Sequence, residues 1–266
     1  MLESPWLRTM PPFQLFGNTW FVGSRPASSH IIDTGDGLIL LDSGYQERLY
    51  LVINSIWQCG FSPYDIKYII LSHGHVDHAA ATKALVELTG AKTFIGEADL
   101  EMVNGSRPIL NWAGELGASQ PPFEPDHLLK DGDKIKLGNV EIDCIATPGH
   151  TPGTFSFFWD IEVDGKIYRA GTMGGAGGNT LSSEYIHKLG LEKENWRGAF
   201  RQSIARCRRE KVDVFVGNHA GQNQTPERYQ RLCAGDKYAF VDPDAWGKFL
   251  DSREQALNTL EAEDPL

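Results

Sequence analysis

Directly after the apolar run 66–71, the segment Ser72-His73-Gly74-His75-Val76-Asp77-His78 places three imidazoles and one carboxylate within six positions. At this chain's histidine frequency a His-x-His-x-Asp-His match is expected in roughly one of 2,000 shuffled sequences. The preceding run reads as a strand covered on both faces, so the fold must deliver these polar groups to the end of a buried strand. His73 and His75 alternate by two, and in an extended segment both rings point to one side and can share a metal ion. Asp77 and His78 lie where the chain turns into the following helix and face a neighbouring position. Imidazole nitrogen with carboxylate oxygen is a ligand set that zinc favours, and two such ions ~3.5–4 Å apart can hold one hydroxide between them.

Two further histidines have the setting of ligands. Thr147-Pro148-Gly149-His150-Thr151-Pro152-Gly153 puts His150 on a loop stiffened by proline and shaped by glycine, and Val216-Gly217-Asn218-His219-Ala220-Gly221 does the same for His219. All three clusters follow strand-like runs. His30, His127 and His187 have no such surroundings and read as structural or surface residues.

The rest of the pattern predicts an α/β layered fold, a single domain over residues 1–266. Runs 19–22, 29–33 and 38–42 are β-rich and separated by turn formers such as Gly35-Asp36-Gly37, as in a meander. From 46 to 58, Leu49, Val52, Ile53, Ile56 and Trp57 recur at helical spacing before Cys59-Gly60. A helix over 79–88 ending at Gly90 and a strand over 92–95 follow. Segment 104–125 contains Trp112 and Phe123 and exceeds an ordinary connection; it reads either as a lid over a cleft or as a surface excursion pinned by its own aromatics. A second β-rich stretch (134–137, 140–146, 154–159, 166–170) has a hairpin turn at Asp164-Gly165, and a helix over 194–209, a strand over 212–216 and a closing helix over 243–260 complete the chain. Two similar halves packed sheet on sheet are expected.

A formal charge of -10 repels phosphate backbones and anionic lipid headgroups, which argues against nucleic-acid or membrane partners; the partner expected is a small-molecule substrate. The start, Met1-Leu2-Glu3-Ser4-Pro5-Trp6, lacks a basic segment followed by an apolar one. A cytoplasmic location is therefore expected for the sequence as given, and a periplasmic or secreted one if a leader has been removed. Cys59, Cys144, Cys207 and Cys233 read mostly as buried thiols, with a Cys207–Cys233 disulfide left open. The oligomeric state is not encoded in any pattern of this kind.

These motifs resemble the metallo-β-lactamase superfamily, most specifically its class B subclass 3 enzymes. The resemblance runs from Pro12-Phe13-Gln14 through Gly17-Asn18-Thr19-Trp20-Phe21-Val22-Gly23, Leu40-Leu41-Asp42-Ser43-Gly44 and the His73 to His78 motif to His150 and His219. It implies a four-layer αβ/βα sandwich of two mixed sheets with helices on the outer faces. It assigns His73, His75 and His150 to a first zinc ion and Asp77, His78 and His219 to a second, with Asp42 as a buried aspartate that orients ligands through hydrogen bonds. Many superfamily members carry a Gly-Asp pair whose aspartate bridges both metals, but this chain reads Ala170-Gly171-Thr172-Met173. That departure disfavours thioesterase, lactonase and nuclease branches. Where subclass 3 enzymes use two serines to hold the substrate carboxylate, Thr172 and Gly174 stand here, followed by a flexible glycine run that can offer backbone N–H groups to an anion.

The implied reaction is β-lactam amide hydrolysis by a metal-bridging hydroxide, with Asp77 and His150 as catalytic ligands and Thr172, Asn179 and Trp112 as substrate contacts. A rival reading keeps the metals and changes the substrate to a lactone, thioester or phosphoester. A third makes the fold a non-catalytic metal-binding sensor.

Overall fold

The computed structural model describes residues 8–266, so the opening segment read above for an export signal lies outside the described residues. The strands are β1 (Phe13–Phe16), β2 (Thr19–Phe21), β3 (His30–Asp33), β4 (Leu38–Leu41), β5 (Ile66–Ile70), β6 (Lys92–Gly96), β7 (His127–Leu129), β8 (Lys134–Leu137), β9 (Val140–Ala146), β10 (Phe155–Val163), β11 (Lys166–Thr172) and β12 (Val214–Phe215). The helices are α1 (Leu49–Gln58), α2 (Val76–Ala79), α3 (Thr82–Thr89), α4 (Leu100–Val103), α5 (Ala113–Leu116), α6 (Ser183–Leu189), α7 (Trp196–Cys207), α8 (Thr225–Cys233) and α9 (Pro243–Glu263).

Strands β1 to β7 form one sheet in sequence order. Its first four strands are an antiparallel meander, and from β4 onward the pairing is parallel, because α1 and then α3 carry the chain back to the starting edge. The second sheet has the order β12-β11-β10-β9-β8 and is antiparallel except for the β11–β12 pair. Both sheets are therefore mixed, as expected.

Strand pleating sorts side chains into layers. Ile39 and Leu41 of β4 join Ile70 of β5 and Phe155, Phe157, Trp159 and Ile161 of β10 in the core between the sheets. Leu38, Leu40, Ile69 and Leu71 face outward, beneath Val52 and Ile56 of α1 and Leu85 of α3. On the far side, Phe158 packs against Phe200 and Ile204 of α7 and Trp246, Phe249 and Leu250 of α9. Helices, sheet, sheet and helices thus form four layers, and Trp159 ties the two sheets by donating its Nε1–H to Thr19 Oγ1 at 3.2 Å.

The predicted turn at Asp164-Gly165 forms with both residues at positive φ, 54° and 75°, the conformation of a two-residue hairpin loop. The helix expected over 79–88 begins earlier, as α2 and α3, so Asp77 and His78 are themselves helical. Strands β1 and β7 and helices α6 and α8 escaped the sequence reading. β7 spans three residues and α6 seven, too few to display a period, while α8 buries only Thr225 and Arg228. The strand expected over 212–216 shortens to Val214–Phe215. All four cysteines are free: Cys144 and Cys207 are buried, Cys59 is half-buried and Cys233 is exposed on α8. The Cys207–Cys233 bond is therefore not made, and Cys233 is not the buried thiol expected. Among the described residues no helix is long and apolar enough to cross a membrane.

Candidate metal centre

The three histidine clusters follow the C-terminal ends of β5, β9 and β12 and meet at one end of the sandwich. Their scaffold starts at Asp42, which leaves β4 at φ +58°, a left-handed conformation uncommon for a residue with a side chain. That turn aims its carboxylate across the end of β5. Oδ1 accepts from Ser72 N at 2.7 Å, and Oδ2 accepts from Ser72 Oγ at 2.8 Å and from His78 Nδ1 at 2.7 Å.

These bonds set the histidine tautomers. Because the Ser72 hydroxyl donates to Asp42, it accepts from His73 Nδ1–H at 2.9 Å, which leaves His73 Nε2 with a free lone pair. His78 likewise gives its Nδ1–H to Asp42. His150 gives its Nδ1–H to Gly177 O at 2.9 Å, and His219 gives its own to Pro26 O. Four imidazoles thus have their Nδ1–H tied to protein acceptors and their Nε2 turned inward. His75 stacks on Trp112, ring centroids 5.1 Å apart and 22° from parallel.

The freed donors fall into two overlapping groups. One ring nitrogen each from His73, His75 and His150 lie within 4.8 Å of one another, as do donors from His73, Asp77 and His78. His219 joins the second group: its Nε2 lies 3.2 Å from His78 Nε2 and 3.8 Å from Asp77 Oδ2, which is 3.3 Å from His78 Nε2. In the first group His75 Nδ1 and His150 Nε2 are 3.0 Å apart. Lone pairs brought this close repel unless a proton or a cation lies between them. His73 Nε2 and His75 Nε2 are also buried without any hydrogen-bond partner among the described residues, a condition proteins generally avoid. The donor set, imidazoles with one carboxylate, fits a zinc-like cation.

The electrostatics agree. Burial, reinforced by neighbouring imidazoles, holds His73 and His75 well below the usual histidine range, and burial lowers His150 to about 4 and depresses His219. These rings are neutral at physiological pH, the form that binds metal. Burial opposes ionisation of Asp77, but the charges and hydrogen bond of His78 and the charge of His219 outweigh it, and its carboxyl lies well below the carboxylate range. Despite burial, His78 between Asp77 and Asp42 is pushed up to about 10, so a proton and a cation compete for its Nε2.

A cleft of about 770 Å³ opens over the cluster, walled by Trp112 and Leu116 on one side, Asn179 on another, and Phe249 and Arg253 of α9. Within segment 104–125 Phe123 packs on the outer core while Trp112 and Leu116 form cleft wall. Trp112 and Asn179 line the cleft as expected for substrate contacts, whereas Thr172 does not. It is 1% exposed at the end of β11, and its hydroxyl reaches no partner, so direct substrate contact at this position is corrected. The run of glycines at 174–178 is also not the free flexible loop its composition suggests. A Cβ at Gly174 would overlap the carbonyl oxygen of Phe155, and one at Gly175 would overlap the His150 ring. Glycine stands at 174 and 175 because the backbone packs there against Phe155 and the His150 ring.

Asp99, in the turn after β6, was missed. Its fully buried carboxylate accepts from Gly74 N at 2.8 Å, between His73 and His75, and from Thr151 Oγ1 and Gly153 N at 2.6 Å each, beside His150. One side chain therefore joins the two ligand loops. Only its distance from the clusters in sequence hid it.

A model of the metallo-beta-lactamase superfamily matches residues 22–219, a span that takes in every one of these ligand candidates. The chain belongs to this superfamily. Among solved metallo-beta-lactamases, native FEZ-1 from Legionella gormanii superposes with a TM-score of 0.87 at 27% identity, covering 96% of this chain and 97% of that one. GOB-18 from Elizabethkingia meningoseptica gives 0.83 at 26%, covering 98% and 95%. BJP-1 of Bradyrhizobium japonicum, a subclass B3 metallo-beta-lactamase, shares the fold with a TM-score of 0.89 at 24% over 99% and 98%. Curated relatives match over shorter spans. The probable metallo-hydrolase YflN of Bacillus subtilis is 29% identical over 168 residues, 58% of this chain and 59% of that protein, and YqgX of the same organism is 25% identical over 177 residues, 63% and 81%. Across the first three curated relatives the chain spans about half to three-fifths of their length, 59%, 51% and 62%. The resemblance and the layered fold read from the sequence are borne out, and the cluster of groups that could hold a metal lies within the span matched by the family model.

Proposed function

We propose that this chain is a dinuclear zinc hydrolase that opens the amide of a β-lactam ring. The observation that carries the reading is the convergence of two donor triads at the floor of one cleft, the first made of three neutral imidazoles. His73, His75 and His150 would hold the first ion, and Asp77, His78 and His219 the second. Support for the lactam comes from FEZ-1 and GOB-18, metallo-beta-lactamases with which the chain shares its architecture nearly end to end, and from the lack of a carboxylate in Ala170-Gly171-Thr172-Met173.

When bound, zinc supplies Lewis acidity, polarising a carbonyl and lowering the pKa of water from 15.7 to about 7. Everything else is the work of the chain. Asp42 and Ser72 hold His73 and His78 in the tautomers that face the cleft, and Gly177 does the same for His150. Asp77, ionised across the working pH range, presents a carboxylate that accepts a hydrogen bond from an approaching water and orients it. Trp112, stacked on His75, and Asn179 narrow the cleft and displace solvent from the acyl group.

The test is a panel on zinc-loaded protein: nitrocefin and a carbapenem beside an acyl-homoserine lactone and a thioester. Lactam turnover at about 10⁴ M⁻¹s⁻¹ or more in kcat/KM is expected. Lactone or thioester turnover without lactam turnover overturns the substrate. Zinc-dependent thermal stabilisation with no hydrolysis of any ester or amide overturns the enzyme and favours the sensor.

A further inference from the structure

Helices α7 and α9 are joined by a ladder of ion pairs. Arg201 reaches Glu254 at 3.8 Å and Glu261 at 2.7 Å, Arg208 reaches Asp251 at 2.5 Å and Glu254 at 2.9 Å, and Arg197 reaches Asp264 at 3.0 Å. Arg253, next to Glu254 in sequence, takes no part. Among the described residues no carboxylate lies within 4 Å of its guanidinium, and the side chain lines the cleft instead. It lies over the Phe249 ring at 5.5 Å and donates from Nε to Ser252 Oγ at 3.2 Å. Its Nη1 reaches Ala176 O only at 3.5 Å, the limit of a hydrogen bond. Most of its five donors are therefore free, on a group that is always charged.

The location matters more than the free donors. Ala176 sits between Gly175, packed on the His150 ring, and Gly177, whose carbonyl holds His150 Nδ1. Arg253 thus stands against the loop that orients a ligand of the proposed metal pair. A half-buried cation without a counter-charge costs free energy that a bound anion recovers, and in a chain of net charge -10 such a cation in the principal cleft is out of keeping with the surface. The two positions expected to hold a substrate carboxylate cannot do so. Thr172 is buried away from the cleft, and Gly174 has no side chain and no room for one.

We propose that Arg253 is the anion-binding residue of this cleft and that the substrate carries a carboxylate which pairs with it while the acyl group lies over the histidine cluster. The proposal rests on the hydrolase reading of the same site. A guanidinium grips a carboxylate through two parallel N–H bonds, and the Phe249 ring fixes the fork from behind. Lys248, exposed at the cleft mouth and 3.6 Å from Asp244, adds a partly neutralised charge along the approach.

The experiment compares benzylpenicillin with its methyl ester on zinc-loaded wild type, Arg253→Ala and Arg253→Lys, following hydrolysis and, separately, binding by calorimetry. In the wild type kcat/KM favours the free acid by about tenfold or more, mainly through KM, the size of a charge-assisted hydrogen bond. Arg253→Ala brings the ratio to within about twofold of unity, and Arg253→Lys leaves an intermediate preference. Because the readout is a ratio within each variant, partial misfolding does not imitate it. An unchanged acid-to-ester ratio in Arg253→Ala overturns the proposal. If neither compound is hydrolysed, the hydrolase reading falls, while calorimetry still decides on Arg253: tenfold weaker acid binding in Arg253→Ala supports it, and equal or undetectable binding of acid and ester in the wild type overturns it.

Discussion

If the chain is the dinuclear zinc hydrolase proposed above, His150→Ala is expected to lower hydrolysis by about a thousandfold or more and to halve the metal content, from two zinc ions per chain to one. His150 contributes Nε2 to the first donor triad, 3.0 Å from His75 Nδ1, and its Nδ1–H is anchored on Gly177 O. Removing it leaves two imidazoles where three converged, and two neutral ligands do not hold zinc tightly against water. The second triad, Asp77, His78 and His219, shares no atom with His150 and is expected to keep its ion. Inductively coupled plasma mass spectrometry on the dialysed variant, run beside steady-state kinetics, checks both parts. A variant that retains two ions and full turnover means that His150 is a structural histidine and the ligand assignment is wrong.

Asp99→Ala is expected to cost about 3–5 kcal/mol of stability and to weaken zinc binding by roughly one to two orders of magnitude, although Asp99 is no ligand candidate. Alanine leaves three buried donors, Gly74 N, Thr151 Oγ1 and Gly153 N, without their acceptor, and frees the loops bearing His73, His75 and His150 from one another. Asp99→Asn keeps the volume but turns an amide NH₂ toward a donor, so it recovers only part of the loss. The carboxyl also has a pH signature. Burial pushes it up to about 6 even though all three donors favour the ion. A folded value above the unfolded one means that the neutral carboxyl contributes stability below pH about 4, and that contribution is lost as pH rises through about 6. Relative to Asp99→Asn, wild-type stability therefore declines by about 2–3 kcal/mol between pH 4 and pH 7. Urea denaturation of both proteins across that range measures it, and parallel pH profiles would remove Asp99 from the account.

Local chemistry made the ligand motif legible. His73, His75, Asp77 and His78 stand together in sequence, and the Pro-Gly surroundings of His150 and His219 mark rigid loops after strands. The buried run 66–71 and the positive-φ turn at Asp164-Gly165 are equally local. Resemblance alone brought Asp42 into view, since its three hydrogen bonds reach 30 and 36 residues along the chain. Asp99 was invisible for the same physical reason, since its partners lie 25 to 54 residues away, while Arg253 sits in the closing helix the sequence did show but reaches the cleft loop 77 residues away at Ala176. Composition misled at the glycines of 174–178. At Gly174 and Gly175 the lack of a side chain reflects backbone packed against Phe155 and His150, which a sequence expresses in the same letters as a loose loop.

The central claim is that six side chains from separated strand ends converge on a pair of cations. Titrating metal-free protein with zinc in a calorimeter, with melting temperature followed in parallel, tests it most directly. Two equivalents bound per chain, each addition raising the melting temperature, is the predicted result. Saturation at one equivalent or fewer, or no thermal stabilisation by zinc, would contradict it.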